Sequence, residues 1–218
     1  MRFTALLPPV ACVVEATPPM WESGLLPEER GYVARALDRR VREFTAGRNC
    51  ARAALLQLGV APLPIRVGRR REPLFPPGYS GSITHTDGYC AAAVLRTGAT
   101  LSIGIDAEGC APLPDGVLQR ISLPAERAML AGIDATLAGS ADRLLFSIKE
   151  AFYKAWFQLS GEFLACRELQ VSIDPSTSSF GAAVLKSGVA DYFRDRQFTG
   201  RYALDARLIC SAVALPRD

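Results

Sequence analysis

A chain of 218 residues, 49% hydrophobic and 22% charged, has enough apolar length for one packed domain or two small ones, and is too apolar for intrinsic disorder. Its formal net charge of +3 is too small to imply nucleic acid as a partner. No apolar run approaches the roughly 20 residues that span a bilayer. The six cysteines (12, 50, 90, 110, 166 and 210) contain no CxxC pair, which argues against structural zinc and suits reduced thiols in a cytoplasmic protein.

The opening segment, MRFTALLPPVACVVEA, has the outline of a leader, but Pro8 and Pro9 interrupt its apolar run, so it reads as a first strand. Pro27, Glu28 and Glu29 then start a helix whose buried stripe is Val33, Leu37, Val41 and Phe44. Gly47 is expected to break it, and Arg48 to Leu58 to form a second helix ended by Gly59. On that reading Arg48 stands near a helix start, where free N–H groups favour an anion, and Arg40 lies off the apolar stripe. Residues 65–80, with the Arg69, Arg70 and Arg71 run and several prolines, read as an irregular basic loop.

SGSITHTDGYCAAAVL reads as two strands joined by an Asp87-Gly88 turn, with the single histidine, His85, at the end of the first. TLSIGIDAEG is the next strand, and its alternation places Asp106 and Glu108 on one face. Adjacent carboxylates repel, so a cation or a shared proton must relieve them, and Mg²⁺ is the usual hard cation where phosphates are handled. A solvated strand end would look the same, so a third carboxylate has to complete the case. Across residues 110–141 short helical pieces are expected, with Ser122 capping a helix whose first turn holds Pro124 and Glu126.

That third carboxylate lies in FSIKEAFYKAW. Leu144, Leu145, Ile148, Phe152, Ala155 and Leu159 make one buried helical face from near Asp142 onward. Glu150 and Lys154, four apart, share a side, which on any helix first suggests a surface ion pair. The chain has 25 Lys plus Arg, yet lysine occurs only at 149, 154 and 186. Two of three lysines in one segment suggest a role that arginine cannot fill. ELQVSI, SFGAAVL, GRYAL and LICSAVAL read as closing strands.

REFTAGRNCARAAL, GSITH, GIDAEG and FSIKEAFYKAW, in that order, resemble the 4'-phosphopantetheinyl transferases of the surfactin-synthetase and enterobactin-synthetase type, the actinobacterial members most of all across ISLPAER and KEAFYKAWF. The resemblance covers roughly residues 27–170. It implies an α+β fold of two similar α/β subdomains in a pseudo-twofold arrangement, residues 1–100 and 101–218, with antiparallel sheets packed with helices and the active site in the cleft between them. It implies transfer of the phosphopantetheine arm of coenzyme A to a serine of an apo acyl or peptidyl carrier protein, releasing 3',5'-ADP. By motif, Asp106, Glu108 and Glu150 would hold Mg²⁺, and Lys154 would contact the pyrophosphate. Arg40, Arg48, Arg70 and His85 would surround the coenzyme A phosphates, with Lys149 a further phosphate contact.

Glu150, Glu108 through a metal-bound water, or, least favoured, Glu126 would accept the serine proton. Ala107 and Phe146 depart from the bulkier aliphatic and the Trp often found there, which affects packing and not the carboxylates. A cytoplasmic monomer acting in fatty acid, polyketide or nonribosomal peptide biosynthesis is expected. Another Mg²⁺-dependent nucleotide enzyme would bring a GxxxxGK[ST] loop, which is absent. An Arg-rich nucleic-acid binder would not need the three carboxylates.

Overall fold

The structure, a computed structural model, describes residues 2–217 apart from residue 138, which lies within the expected helical stretch 110–141. In chain order the elements are β1 (Cys12–Glu15), α1 (Pro27–Arg30), α2 (Asp38–Gln57), β2 (Arg66–Val67), β3 (Pro73–Leu74), β4 (Tyr79–Thr86), β5 (Tyr89–Arg96) and β6 (Thr100–Gly109). They continue with α3 (Val117–Ile121), α4 (Pro124–Ile133), α5 (Ala141–Ser160), β7 (Leu169–Asp174), β8 (Ser179–Val184), β9 (Gln197–Leu204) and β10 (Leu208–Pro216). Antiparallel sheets packed with helices make the architecture α+β, as the sequence suggests. One sheet has the order β1-β5-β4 and carries α2; the other has the order β6-β10-β9-β8-β7 and carries α5.

Strand alternation sorts the core. Ile209, Val213 and Leu215 of β10 turn toward α5 and meet Ile148, Phe152 and Trp156. Leu208, Cys210 and Ala212 turn the other way and join Ile103 and Ile105 of β6 with Ala91, Ala93 and Leu95 of β5. This second cluster belongs to both sheets, so the halves share apolar surface withdrawn from water.

The sheets are also joined side by side, through side chains. Ser80, Ser82 and Thr84 alternate along β4, and their hydroxyl oxygens accept hydrogen bonds from the backbone N–H groups of Ile103, Ile105 and Ala107 at 3.0, 3.0 and 2.8 Å. The open edge of β6 thereby finds acceptors without a backbone partner strand. On its α5-facing side, Gly104 lies under the helix, and a Cβ there would collide with the carbonyl of Ala151. This close approach brings the polar side of α5 onto the end of β6.

Several expectations are corrected. Gly47 does not break a helix: α2 runs unbroken through it, and a Cβ at Gly47 would meet Ile83 Cγ2 at 2.8 Å. Its role is close packing of helix on sheet, which offsets the roughly 1 kcal/mol that an interior glycine costs. The break falls earlier, between α1 and α2, where Leu37 is 84% exposed and outside the buried stripe. The basic segment 65–80 contains the small β2–β3 hairpin, with Arg71 at φ 71° in its turn. Ser122 does not cap α4; its hydroxyl bonds back to Leu118 O at the end of α3. The turn at Gly88 (φ 66°), the helix from Ala141 and the four closing strands form as read, except that Leu159, in the last turn of α5, is exposed and outside the buried face.

Candidate active site

The site grows from the end of β6. Asp106 and Glu108 leave the same face of the strand, toward α5. Glu150 and Lys154 come from α5, one turn apart, and Arg143 lies two turns before Glu150 on the same side. The ammonium of Lys154 donates to Asp106 Oδ1 at 2.7 Å and to Ile105 O at 3.0 Å. Thr84 donates to the same carboxylate oxygen at 3.4 Å. Asp106 Oδ2 is buried and has no hydrogen-bond partner, the kind of orphaned acceptor that a bound cation or water satisfies. Glu108 accepts from Arg143 at 3.2 Å.

Electrostatics bind these groups together. Burial raises the Glu108 carboxyl above its ordinary value, and the charge of Asp106 adds to this while Arg143 and Lys154 oppose it. Burial also raises Glu150, with Lys154 opposing and Asp106 adding. Glu108 and Glu150 therefore give up their protons less readily than ordinary carboxyls, and added positive charge would ease this. Among the described residues, no three His, Cys, Asp or Glu side chains already converge to enclose an ion. Arg143 and Lys154 hold two of the three carboxylates instead.

The first half of the chain supplies the neighbouring cations. Arg40 donates to His85 Nε2 at 3.0 Å, so His85 is the tautomer with its proton on Nδ1, which faces Glu43 Oε2 at 3.6 Å. Burial lowers the His85 pKa, Glu43 works against this, and the fields of Lys154 and Asp106 both reach the ring. Arg70 joins Glu150, Tyr153, Lys154 and Gln158 around a hollow of about 250 Å³ between the basic hairpin and α5. A wider hollow of about 630 Å³, against Trp21, Asp38, Arg42 and Thr86, contains none of the expected site residues.

Two expected phosphate contacts are buried. Arg48 is mid-helix and 5% exposed, donating to Ile65 O at 2.8 Å with its guanidinium 4.2 Å from the Phe44 ring centre. Its pKa is lowered to about 10, first by burial. Lys149 follows a different direction from Glu150, because adjacent helical residues point about 100° apart. Its ammonium is buried against Glu126 Oε2 (2.9 Å), Cys166 O (2.7 Å) and Leu169 O (2.8 Å), which leaves no N–H for a phosphate. Glu126, bonded also by the N–H groups of Leu123 and Val171, has both carboxylate oxygens engaged within the fold.

Arg143, Thr84 and Gln158 join the site beyond the residues expected from sequence. The signal existed for two of them: 143, 147, 150, 154 and 158 recur at helical spacing as a polar stripe on an otherwise apolar helix.

Residues 28–95 match the family model of the 4'-phosphopantetheinyl transferase N-terminal domain, and residues 102–205 match that of the 4'-phosphopantetheinyl transferase superfamily. The chain is 46% identical over 193 residues to the 4'-phosphopantetheinyl transferase Svp of Streptomyces mobaraensis, covering 88% of this chain and 78% of that one. The chain belongs to the 4'-phosphopantetheinyl transferases. It is also 42% identical over 198 residues to PptT of Mycobacterium tuberculosis, covering 87% and 86% of the two chains. With Npt of Nocardia iowensis the identity is 40% over 197 residues, covering 86% and 88%. As a transferase of this family, the chain carries both matched regions on either side of the β5–β6 connection.

Proposed function

We propose that this transferase moves the 4'-phosphopantetheine arm of coenzyme A onto a serine of an apo acyl or peptidyl carrier protein. The observation that carries this reading is the meeting of Asp106, Glu108, Glu150, Lys154 and Arg143 at one strand end, beside the Arg40–His85 pair. The serine oxygen forms a bond to the β-phosphorus of coenzyme A, the bond from that phosphorus to the bridging oxygen breaks, and 3',5'-ADP leaves with the electron pair.

Asp106, Glu108 and Glu150 form a donor set of hard oxygens, and the orphaned Asp106 Oδ2 and the two raised carboxyls both fit a divalent cation. We assign Mg²⁺ to them; when bound, it supplies charge neutralisation at the pyrophosphate. Lys154 spends two of its three N–H groups on Asp106 and Ile105, which leaves one for a phosphate oxygen. Arg40, His85 and Arg70 line the approach from the first half and take the remaining phosphates. Glu150 takes the serine proton: it faces the hollow shared with Arg70 and Lys154, whereas Glu108 shares an oxygen with Arg143.

In this reading residues 1–100 supply the phosphate-binding cations and residues 101–218 the carboxylates and Lys154, with the reaction in the cleft between. A cytoplasmic monomer acting on carriers of fatty acid, polyketide or nonribosomal peptide synthesis completes the proposal. No helix among the described residues is long and apolar enough to cross a membrane, and all six cysteines are free. The deciding experiment incubates the protein with coenzyme A, Mg²⁺ and apo carriers of each type and weighs the carriers. A gain of one phosphopantetheine is expected on at least one, and no gain on any would overturn the assignment.

A further inference from the structure

Arg143 makes a fork of three bonds. Its Nε donates to Ala111 O at 2.8 Å, Nη2 to Pro112 O at 2.8 Å and Nη1 to Glu108 Oε2 at 3.2 Å. The two shorter bonds go to backbone carbonyls of the segment after β6, and Asp142 pins the same segment by accepting from Leu113 N at 2.9 Å. The guanidinium is therefore parked by the backbone, and its charge stays beside Glu108 whatever that carboxylate binds. Lys154 differs. Its flexible stem holds Asp106 through one ammonium bond of 2.7 Å, which a phosphate oxygen can replace.

The substrate-free cluster thus sets three formal carboxylates against two built-in cations, one fixed and one movable. Little negative charge is left over to draw in a free divalent ion. An arriving pyrophosphate adds negative charge and offers Lys154 a new partner, which uncovers Asp106.

We propose that Arg143 is a positioning residue, the fixed counter-cation of Glu108, and that it makes a divalent cation bind together with the anionic co-substrate instead of ahead of it. The inference rests on the reading of Asp106, Glu108 and Glu150 as cation ligands. Coupling of this kind is reciprocal, so the cation strengthens coenzyme A binding by the same factor.

The test measures Mn²⁺ binding by electron paramagnetic resonance on the whole protein, with and without saturating coenzyme A. The wild type should bind Mn²⁺ at least about tenfold tighter with coenzyme A, a coupling within the usual allosteric range. Arg143→Gln should tighten Mn²⁺ binding to the coenzyme A-free protein by about fivefold or more and shrink that coupling, because a charge has been removed. Arg143→Lys, which keeps the charge, should stay near wild type in Mn²⁺ affinity. A merely structural fork predicts the reverse: both variants would melt earlier and neither would gain affinity for the ion. Equal Mn²⁺ affinity of the wild type with and without coenzyme A overturns the inference without any variant. Coupling that survives Arg143→Gln unchanged removes Arg143 and leaves the cation reading standing, whereas no Mn²⁺ binding in either state overturns both.

Discussion

The ammonium of Lys154 reaches across from α5 to Asp106 Oδ1, 2.7 Å away on β6, and Glu150, one turn earlier on the helix, is left facing the open hollow. The helical i, i+4 spacing suggested a surface ion pair, but Gly104 lets α5 approach β6 closely enough for the cross-element contact to win. That contact sets the polarity of the site, with a cation already held against the strand end.

Lys154→Met should reduce kcat by roughly 10² to 10³-fold, the usual cost of removing one preorganised donor to a developing charge. Steady-state transfer to an apo carrier checks this. A loss of less than tenfold would take Lys154 out of the reaction.

Glu150→Gln should abolish transfer without loss of stability. Its carboxyl is raised by burial, so ionising it costs the folded protein some stability, and an uncharged amide removes that cost. A thermal melt should show an equal or higher Tm, the usual trade of stability against function. A lower Tm together with retained activity would contradict both halves of the argument.

The Lys149–Glu126 pair should behave as a strut. Lys149→Met leaves Glu126 buried without its cation and should cost about 3–5 kcal/mol by urea unfolding. The double variant with Glu126→Gln should recover part of that loss, because no uncompensated charge remains. Coenzyme A affinity at temperatures where the single variant is folded should be unchanged, since the lysine has no N–H left for a phosphate.

Coenzyme A binding should take up a proton at His85. The free ring is held below its ordinary pKa, first by burial, and is neutral near pH 7. A phosphate beside it favours the charged form, so its pKa rises on binding and affinity increases as pH falls through the ordinary histidine range. Calorimetry in buffers of different ionisation enthalpy measures this uptake, and His85→Gln should remove that part of it. In the unliganded protein the sign for stability is the opposite of a salt-bridged histidine. With its folded pKa below its unfolded one, His85 costs stability as pH falls below the unfolded value.

Local rules made much of this legible. The DG turn, the alternation of β6 and the apolar stripe of α5 each follow from one stretch of sequence, and together they bring Asp106, Glu108, Glu150 and Lys154 to one place. What escaped depended on partners distant in the chain. Gly47 looks like a helix breaker until Ile83 is seen against it, and Arg48 looks like a helix start until α2 is seen to run through. Lys149 adjoins Glu150 in sequence, but the helix turns neighbours apart and Glu126, 23 residues earlier, claims its charge. The fork of Arg143 could not be read at all, because two of its three acceptors are backbone carbonyls.

The hydroxyl ladder of Ser80, Ser82 and Thr84 has an evolutionary consequence. A backbone ladder between two strands survives almost any single codon change, since every residue but proline offers the same N–H and C=O. Here each rung between the halves is a separate gene-encoded choice, removable by a single substitution and replaceable by a longer or shorter side chain. The last rung, Thr84, also touches Asp106. Single substitutions along the ladder therefore alter the join between β4 and β6 one rung at a time, and at Thr84 the same change reaches a carboxylate of the site.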